Sequence, residues 1–450
     1  MLQLESSSTY ADELRVRVAR LGTLLTRVAP VPQEWLVEGK RARDRVEPEA
    51  CDSWAKLERA WVECQRWRQS ISDFFSTALA VVASTSQTGN QLHLLMIAPA
   101  GSLKTTILDG MLVSKKCIVV ENITGFYSGT VSDDGRDLSF LARANHLTWI
   151  TPEGDVLVNS PQFHDLMAQA RRIFDGKGSA KYKNSDEDKS FEGLRTPWII
   201  AGTPFMIDYW DQSRLGDRFL RVMLDEPQQD ERRKIVMAAL DNEWAAVAEH
   251  SNGSSGGVEA KLRRAYALTG GYVEWLREHA GEIDGITAEG WVKDRVGDLA
   301  EFVADMRAKP NIDTKKLECH DSKELPTRLA RQLIRLARCM ALVLNKRVVD
   351  AEVVRRVQKV ALDSAQGRTL DLLRWFRGID PYTSRTYQDG SGIMLRQLVK
   401  WAGFRTEPEC LAYLNFLLKI GVLEHVSVQD THGYWRMAAR VDQLHRSIVG

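Results

Sequence analysis

Hydrophobic positions follow three successive patterns along the chain. In the first part they recur at helical spacing, as in Trp54, Leu57, Trp61 and Cys64. From residue 91 short apolar runs alternate with amphipathic helical stretches, and from 258 to 376 the pattern is helical again. Strands that alternate with helices are typical of a sheet with much parallel pairing and helices on both faces. We therefore predict an α/β fold with a three-layer α/β/α core.

Turn-rich stretches divide this pattern into four regions. The predicted strands are the apolar runs at 93–98, 116–122, 146–151 and 196–202. The stretches 84–90, 251–257 and 378–392 are rich in residues that favour turns and loops. The resulting regions are a helical region at 1–84, a core at 85–250, a helical lid at 258–378 and a C-terminal module at 390–450. The tryptophans of the first region could form an aromatic DNA surface, but their spacing favours a buried helical stripe.

A small-residue loop between the first predicted strand and the next helix has the arrangement of a phosphate-binding loop. Its backbone N–H groups and the helix N-terminus would point at anionic oxygens, and its lysine would supply a point charge. The pattern GxxxxGK[ST] is matched in part, because Ala98 and Leu103 stand at its glycine positions. We predict that ATP binds here and that Thr105 ligates Mg²⁺; a chance loop with a solvated lysine is the alternative. The predicted nucleotide contacts in the loop are Ala98, Gly101, Ser102, Leu103, Lys104, Thr105 and Thr106.

Acidic and polar residues follow two later strands. Glu153 and Asp155 come after the strand at 146–151, where magnesium and an attacking water require carboxylates. Thr203 follows the strand at 196–202 and is suited to contact that water or the terminal phosphate. Proline, glycine and aspartate in the run PEGD favour turns, so a simple β-turn is the alternative for both acids.

Two arginines complete the candidate site. Arg218 in the run LGDRFLR is a candidate arginine finger, a cation offered to a neighbouring subunit's phosphate. It could instead pair with Asp217 or Asp211. Arg328, with Arg331 as its alternative, opens a helix from which it would reach a nucleotide. Arg328, Arg331, Arg335 and Arg338 recur at helical spacing, so the alternative is that they form a solvent-exposed face of the helix without a functional role.

These motifs together resemble the minichromosome-maintenance-like AAA+ helicases, in particular the forms carried by phages and other mobile elements. The resemblance covers about 74–376 and implies Glu153 as the catalytic acid, Asp155 as the second acid and a metal ligand, and Thr203 as the first sensor. It also implies Arg218 as the arginine finger and Arg328 as the second sensor. The family's magnesium-holding aspartate falls on Pro152.

The resemblance further implies a pore hairpin at 174–193. In such a hairpin Lys181 and Lys183 would face DNA in a central channel. Together with Lys177, these lysines could instead belong to a solvated loop balanced by the acids at 186–188. Cys319 and His320 could suggest a metal, but no second pair accompanies them, which favours a loop thiol and imidazole.

The C-terminal module reads as a winged helix. A helix at 393–402 is followed by a helix that Thr406 caps, and then by a strand, a turn and a strand. Its basic residues include Arg405 and Lys419, the predicted DNA contacts. Protein docking is the alternative role. The predicted buried stripe of the second helix consists of Leu411, Leu414, Leu417 and Leu418.

Composition limits the partners and the compartment. The formal net charge is +1, so any DNA contact requires a local basic patch. None of the six cysteines forms a CxxC pair, which favours free thiols in a reducing compartment. The apolar runs are too short to span a bilayer and the first residues lack a signal pattern. We expect a cytoplasmic protein without a membrane partner.

The sequence supports three readings of function. The first is a ring-forming, ATP-driven DNA helicase or translocase in mobile-element replication. A hexamer is implied here, because the arginine finger must act on the nucleotide of a neighbouring subunit. The second is a hydrolysis-poor assembly factor, such as a replication initiator or a regulatory or defence component, which uses nucleotide to set its oligomeric state and binds DNA through the winged helix. The third is a DNA-binding adaptor with a dead nucleotide pocket.

Overall fold

The computed structural model describes the chain in seventeen pieces. They are 46–65, 67–89, 91–121, 123, 125–127, 139–180, 189–207, 218–224, 227, 230–240, 257–308, 311–313, 318–320, 325–365, 367–378, 395–426 and 434–449. The contacts separate a unit at 1–46 from a unit at 47–450, and the second is described below. The helical stretch predicted before residue 46 lies outside the described residues.

Helices and strands alternate through the middle of the chain and helices dominate its two ends. The helices are α1 (Trp54–Cys64), α2 (Gln69–Ser84), α3 (Lys104–Met111), α4 (Phe140–Ala144), α5 (Gly154–Val158), α6 (Phe163–Phe174), α7 (Val258–Glu278), α8 (Gly290–Arg307), α9 (Pro326–Val343), α10 (Ala351–Ala365), α11 (Arg368–Phe376), α12 (Leu395–Trp401), α13 (Glu407–Lys419) and α14 (Ala439–Val449). The strands are β1 (His93–Ile97), β2 (Cys117–Val119), β3 (Thr148–Thr151), β4 (Lys177–Ala180), β5 (Lys189–Glu192), β6 (Trp198–Gly202), β7 (Phe219–Met223), β8 (Thr287–Ala288), β9 (Asn311–Asp313), β10 (Glu318–His320), β11 (Val348–Val349), β12 (Leu423–Val426) and β13 (Tyr434–Met437). A further helical stretch covers 230–240.

A parallel sheet of five strands forms the centre of the fold, which confirms the predicted α/β class. Its order is β2-β3-β6-β1-β7. All five residues of β1 and of β6 are buried, because helices cover both faces of the sheet. Leu95 and Ile97 pack with the apolar side of α6, whereas α2 contacts β1, β6 and β7. The strand β7 was not among the predicted strands.

The predicted tryptophan stripe before the sheet is buried, as its helical spacing indicates. Trp54 and Trp61 lie in α1 with their ring centroids 5.8 and 5.7 Å from that of Phe75. The Trp61 indole N–H donates to Thr269 Oγ1 at 3.1 Å, which ties α1 to α7. Burial leaves these two rings no surface on which a DNA base could stack.

The helices after the sheet pack directly against its edge strand. The N–H groups of Arg221 and Met223 in β7 donate to side chains of Ser364 and Asp363 in α10, at 2.8 and 2.7 Å. The Arg307 guanidinium donates to the Phe219 carbonyl at 2.9 Å. These contacts satisfy backbone groups that an edge strand would otherwise leave open.

The C-terminal module contains two helices, a two-stranded antiparallel ribbon and a last helix. Thr406 caps α13 as predicted, since its hydroxyl accepts from the Glu409 N–H at 3.3 Å. Leu414 and Leu417 are buried, but Leu411 is 38% exposed, so the predicted stripe is wrong at that position. The buried side is turned instead toward Cys410 and Tyr413, because the neighbouring elements cover that side of the helix.

Two further sequence expectations can be compared with the described residues. Five cysteines are buried and free of disulfides, namely Cys51, Cys64, Cys117, Cys339 and Cys410. Cys319 and His320 lie in the short strand β10 rather than in a loop. No helix in the described part of the chain combines the length and the apolar character that crossing a bilayer requires.

Candidate functional site

The loop between β1 and α3 has the strand, loop and helix arrangement that the sequence predicts. Ala98 still belongs to the sheet edge, since its N–H donates to the Gly202 carbonyl at 3.0 Å. Gly101 has a φ of 74°, in the left-handed region that favours glycine. Helix α3 begins at Lys104; the Lys104 N–H donates to the Ser102 carbonyl and the Ile107 N–H donates to the Leu103 carbonyl at 2.8 Å, while the N–H groups of Thr105 and Thr106 between them have no acceptor within the helix. The loop therefore lies at the carboxyl ends of the parallel strands.

Lys104 is held within this loop and close to two carboxylates. Its Nζ donates to the carbonyls of Ala98 and Pro99 at 3.2 and 3.3 Å. Burial lowers the pKa of Lys104, while the charges of Asp155 and then Glu153 act in the opposite direction. The ammonium therefore faces the edge of the sheet where β3 ends.

The remaining side chains of the loop differ in exposure. Thr105 is exposed, and Leu103 and Thr106 are half-buried. The Ser102 Oγ is buried and has no hydrogen-bond partner among the described residues. A buried hydroxyl without a protein partner is the exception in folded proteins and indicates a place for a ligand or water oxygen.

Asp155 and Thr203, predicted from separate motifs, form one hydrogen-bonded pair. The Thr203 N–H donates to Asp155 Oδ2 at 3.0 Å, and its hydroxyl donates to Oδ1 at 2.8 Å. Because β3 and β6 are parallel neighbours, residues that follow their ends meet at one edge. The pair places a carboxylate across β6 from the Lys104 loop.

Two glycines permit this close approach. A Cβ on Gly202 would lie 1.8 Å from Met206 Sδ and 3.4 Å from Asp155 Oδ2. A Cβ on Gly154 would lie 2.5 Å from Ile200 Cγ2. A larger residue at Gly154 would push α5 away from β6, and a larger residue at Gly202 would displace the Met206 side chain.

Glu153 lies beside the pair but extends into solvent. It occupies the N-cap position of α5, and its side chain is exposed. Pro152 is buried directly before it and cannot supply the carboxylate that the resemblance assigns to that position. Within the described residues, no group of three or more acidic, histidine or cysteine side chains is arranged to hold a metal ion.

Arg218 lies at the amino ends of the parallel strands, whereas the Lys104 loop lies at their carboxyl ends. It directly precedes β7, whose Phe219 is paired with His93 at the start of β1. With a rise of about 3.3 Å per residue, the five residues of β1 separate that level from the phosphate loop by roughly 16 Å. The Arg218 guanidinium is 3.7 Å from the Asp175 carboxylate and lies over the Phe174 ring. The partners proposed from the sequence, Asp217 and Asp211, lie outside the described residues.

Arg328 lies near Arg218 rather than near the phosphate loop. Gln332, one turn further along α9, donates to the Arg218 carbonyl at 2.9 Å. Arg335 donates to the Thr88 carbonyl at 2.5 Å, and Arg338 donates to a backbone carbonyl at 2.7 Å. The interpretation of this helix face as merely solvated is therefore wrong for the last two arginines. The structure does not bring Arg218 or Arg328 to the Lys104 loop of the same chain.

The predicted DNA contacts belong to two separate parts of the chain. A hairpin is present where the resemblance implies one, with β4 and β5 paired antiparallel from Lys177 and Glu192. Its predicted contacts Lys181 and Lys183 lie outside the described residues. Arg405 and Lys419 are exposed at the two ends of α13.

The structure also brings together two arginines that no motif singled out. Arg195 precedes β6 and Arg277 lies in the last turn of α7, and both contact the backbone around His146. The His146 N–H donates to the Arg195 carbonyl at 3.0 Å, and the Arg277 guanidinium donates to the His146 carbonyl at 3.0 Å. Their separation by 82 positions left no signal of this proximity in the sequence.

Neither the known protein-family models nor the curated protein sequences match this chain. The chemical character of the site therefore rests on its own residues.

Proposed function

We propose that the chain is an AAA+-type P-loop ATPase that acts on DNA, as a ring-forming ATP-driven helicase or translocase in mobile-element replication. The observation that carries the proposal is the position of the Lys104 ammonium. The ammonium lies at the carboxyl ends of the parallel strands and interacts electrostatically with Asp155 and Glu153. Phosphates, a metal and an attacking water are handled at such an edge in P-loop enzymes.

The residues present fit a nucleotide triphosphate. Lys104 supplies positive charge, Gly101 allows the turn, and the buried Ser102 hydroxyl has an unused hydrogen-bonding position. The first turn of α3 adds backbone donors and the positive end of a helix dipole. A phosphate here would take over hydrogen bonds that Lys104 now makes to loop carbonyls.

Mg²⁺, when bound, would neutralise phosphate charge and position water. Thr105 is exposed at the start of α3 and would contribute its hydroxyl. Asp155 already accepts two hydrogen bonds from Thr203, but a carboxylate has about four lone-pair sites, so ligation remains open to it. Glu153, exposed beside the pair, would take a proton from the attacking water.

The strand order supports the same fold assignment. Counted along the chain, the five strands lie in the order 5-1-4-3-2, the order of AAA+ cores. β1 lies between β6 and β7, where the strand order reverses. Ligands of open parallel sheets bind at such a switch point. The Lys104 loop follows β1 directly.

The positions of the arginines support a ring. Arg218 and Arg328 lie at the edge opposite the phosphate loop, so either can reach a nucleotide only in a neighbouring copy. An interface that joins one edge to the other is heterologous, and repetition of such an interface closes into a ring when the rotation permits. A hexamer is the expected ring.

Nucleotide binding and DNA-stimulated ATPase activity test the proposal. Wild type should bind ATP and hydrolyse it faster with DNA, and Lys104→Ala should lose both because it removes the cation at the phosphates. Lys293→Ala removes an exposed lysine of α8 and is the matched control. Full ATP binding and turnover by Lys104→Ala would exclude the loop as the nucleotide site.

Mixing two inactive variants tests the arginine in trans. Lys104→Ala retains Arg218, and Arg218→Ala retains the phosphate loop. If subunits mix at random, about a quarter of the interfaces in a 1:1 mixture pair an intact loop with an intact arginine. We expect about that share of wild-type turnover. A mixture as inactive as its components would argue against action across an interface.

Two observations favour the second hypothesis, a hydrolysis-poor assembly factor that binds DNA through the C-terminal module. Pro152 stands where the resemblance places a metal-holding acid, and each oxygen of Asp155 already accepts a hydrogen bond from Thr203. These features favour binding over turnover. ATP-dependent assembly without DNA-stimulated hydrolysis would select this alternative. Absence of ATP binding would leave only the DNA-binding adaptor.

A further inference from the structure

Arg277 carries buried hydrogen-bond donors that the described protein does not use. Its Nη2 donates to the His146 carbonyl at 3.0 Å, but Nε and Nη1 are buried and have no partner among the described residues. Burial lowers the pKa of Arg277, and the positive charge of Arg195 acts in the same direction. A buried cation with unused donors beside a second cation is a site that an anion would complete.

The neighbouring arginine is likewise without a counter-ion. Arg195 Nη1 donates to the Ser86 carbonyl at 2.9 Å, and its own N–H donates to Asn145 Oδ1 at 3.0 Å. Neither Arg195 nor Arg277 forms an ion pair within the described residues. The two guanidinium groups are therefore held by backbone carbonyls, which fix their positions without neutralising their charge.

The carboxylates on this edge have other partners. Asp175 pairs with Arg218 and Glu274 accepts from the Ser114 hydroxyl at 3.4 Å, whereas Glu192 is exposed in β5, with its Cα opposite that of Lys177. Burial first, and then the charges of the two arginines, lower the pKa of the exposed His146 between them. Arg195 and Arg277 thus keep their positive charges without a carboxylate partner among the described residues.

The positive charge continues from the pair toward β2. Lys115 and Lys116 are exposed before β2, and the Lys116 carbonyl accepts from the first residue of β3. On the other side Arg195 and Lys177 share a cleft at the base of the hairpin with Asp175 and Glu192, so the charges of that cleft balance, and Gly176 and Gly193 leave the backbone uncovered there. A row of cations beside open backbone suits a chain of phosphates better than a single small anion.

We propose that Arg195 and Arg277, with Lys116 beside them, bind the phosphodiester backbone of single-stranded DNA at the sheet edge opposite Lys104. The inference rests on the proposed function, since it takes DNA as the partner. It adds a contact surface outside the predicted hairpin tip and the C-terminal module. The ligand class follows from the guanidinium donors, which match phosphate oxygens, and from the extended row of charge.

Fluorescence polarisation of a labelled oligothymidine, titrated with the full chain at several salt concentrations, tests the inference. Each phosphate contact contributes about 0.7 to the slope of log affinity against log salt for single strands. Arg195→Gln, Arg277→Gln and Lys116→Ala should each lower that slope by about 0.7 and weaken binding roughly fivefold at 0.1 M salt. Lys116→Ala changes an exposed side chain and retains the test if an arginine variant does not fold.

Arg263→Gln is the matched control, because it removes an exposed arginine from the same helix as Arg277. It should leave both slope and affinity unchanged. If all three test variants keep the wild-type slope, the proposed contact surface is wrong, although DNA could still bind elsewhere on the protein. No DNA binding by wild type would overturn both the surface and the DNA partner. Saturable binding of inorganic phosphate that requires Arg277, with unchanged DNA affinity, would identify a small-anion site and also overturn the inference.

Discussion

Asp155→Ala tests the central contact of the candidate site through stability, independently of any nucleotide. The substitution removes the acceptor of two hydrogen bonds from Thr203, with lengths of 3.0 and 2.8 Å. A hydrogen bond to a charged group contributes about 1.5–3 kcal/mol. The freed hydroxyl can turn to water, whereas the backbone N–H is fixed at the end of β6. We therefore expect the free energy of unfolding to fall by about 2–4 kcal/mol.

Urea unfolding followed by tryptophan fluorescence measures this loss, provided that the m-value is unchanged. Asp155→Asn should cost less, about 1–2 kcal/mol, because its amide can accept from the N–H and donate to the hydroxyl but lacks the charge. Asp165→Ala, an exposed acid in the first turn of α6, is the control and should cost less than about 1 kcal/mol. Equal stability of Asp155→Ala and Asp165→Ala would refute the pairing and the site built on it.

Three further predictions concern packing and charge. Gly202→Ala should destabilise the fold by about 1–3 kcal/mol in urea unfolding, since its Cβ would lie 1.8 Å from Met206 Sδ. Arg356→Ala should cost about 1–3 kcal/mol in the same assay, because the buried Asp73 carboxylate loses the guanidinium 3.0 Å away but keeps its two hydrogen bonds from Arg355. Burial raises the pKa of Asp73, but the hydrogen bond from Arg355 and the charge of Arg356 outweigh it, so the net shift is downward. Its stabilising contribution should be present above the ordinary carboxyl pKa and be lost as pH falls through the lowered value, and Asp73→Asn should flatten that part of a stability profile.

The sheet strands that the sequence predicted are those with uninterrupted apolar runs. The runs at 93–98 and 196–202 became β1 and β6, whose residues are all buried. β7 was missed because Arg221 interrupts its apolar pattern. That arginine is 3% exposed and its N–H bonds to Ser364, so tertiary contacts with a helix 143 positions away stabilise the strand.

The same distinction applies to the site. Lys104 follows its strand and loop directly in the sequence, so local pattern was sufficient to predict where it lies. The contact between Asp155 and Thr203 follows from the parallel neighbours β3 and β6, which the sequence suggests but does not specify. The proximity of Arg195 and Arg277 depends on where the end of α7 contacts the sheet, and the periodicity of the sequence does not specify that contact.

The two edges of the sheet differ in charge, and that difference limits how the site can work. Glu153 and Asp155 lie around Lys104 at the carboxyl ends of the strands, whereas Arg218 and Arg328 lie at the amino ends. The parallel direction of β1 and β7 determines this separation, because a residue before β7 and a residue after β1 lie at opposite ends of the two strands. Under the proposed function, a single chain cannot place Arg218 on a nucleotide bound at its own Lys104 loop without unpairing β7 from β1. Catalysis that used the arginines would require a second copy, and regulation of assembly would then be regulation of turnover.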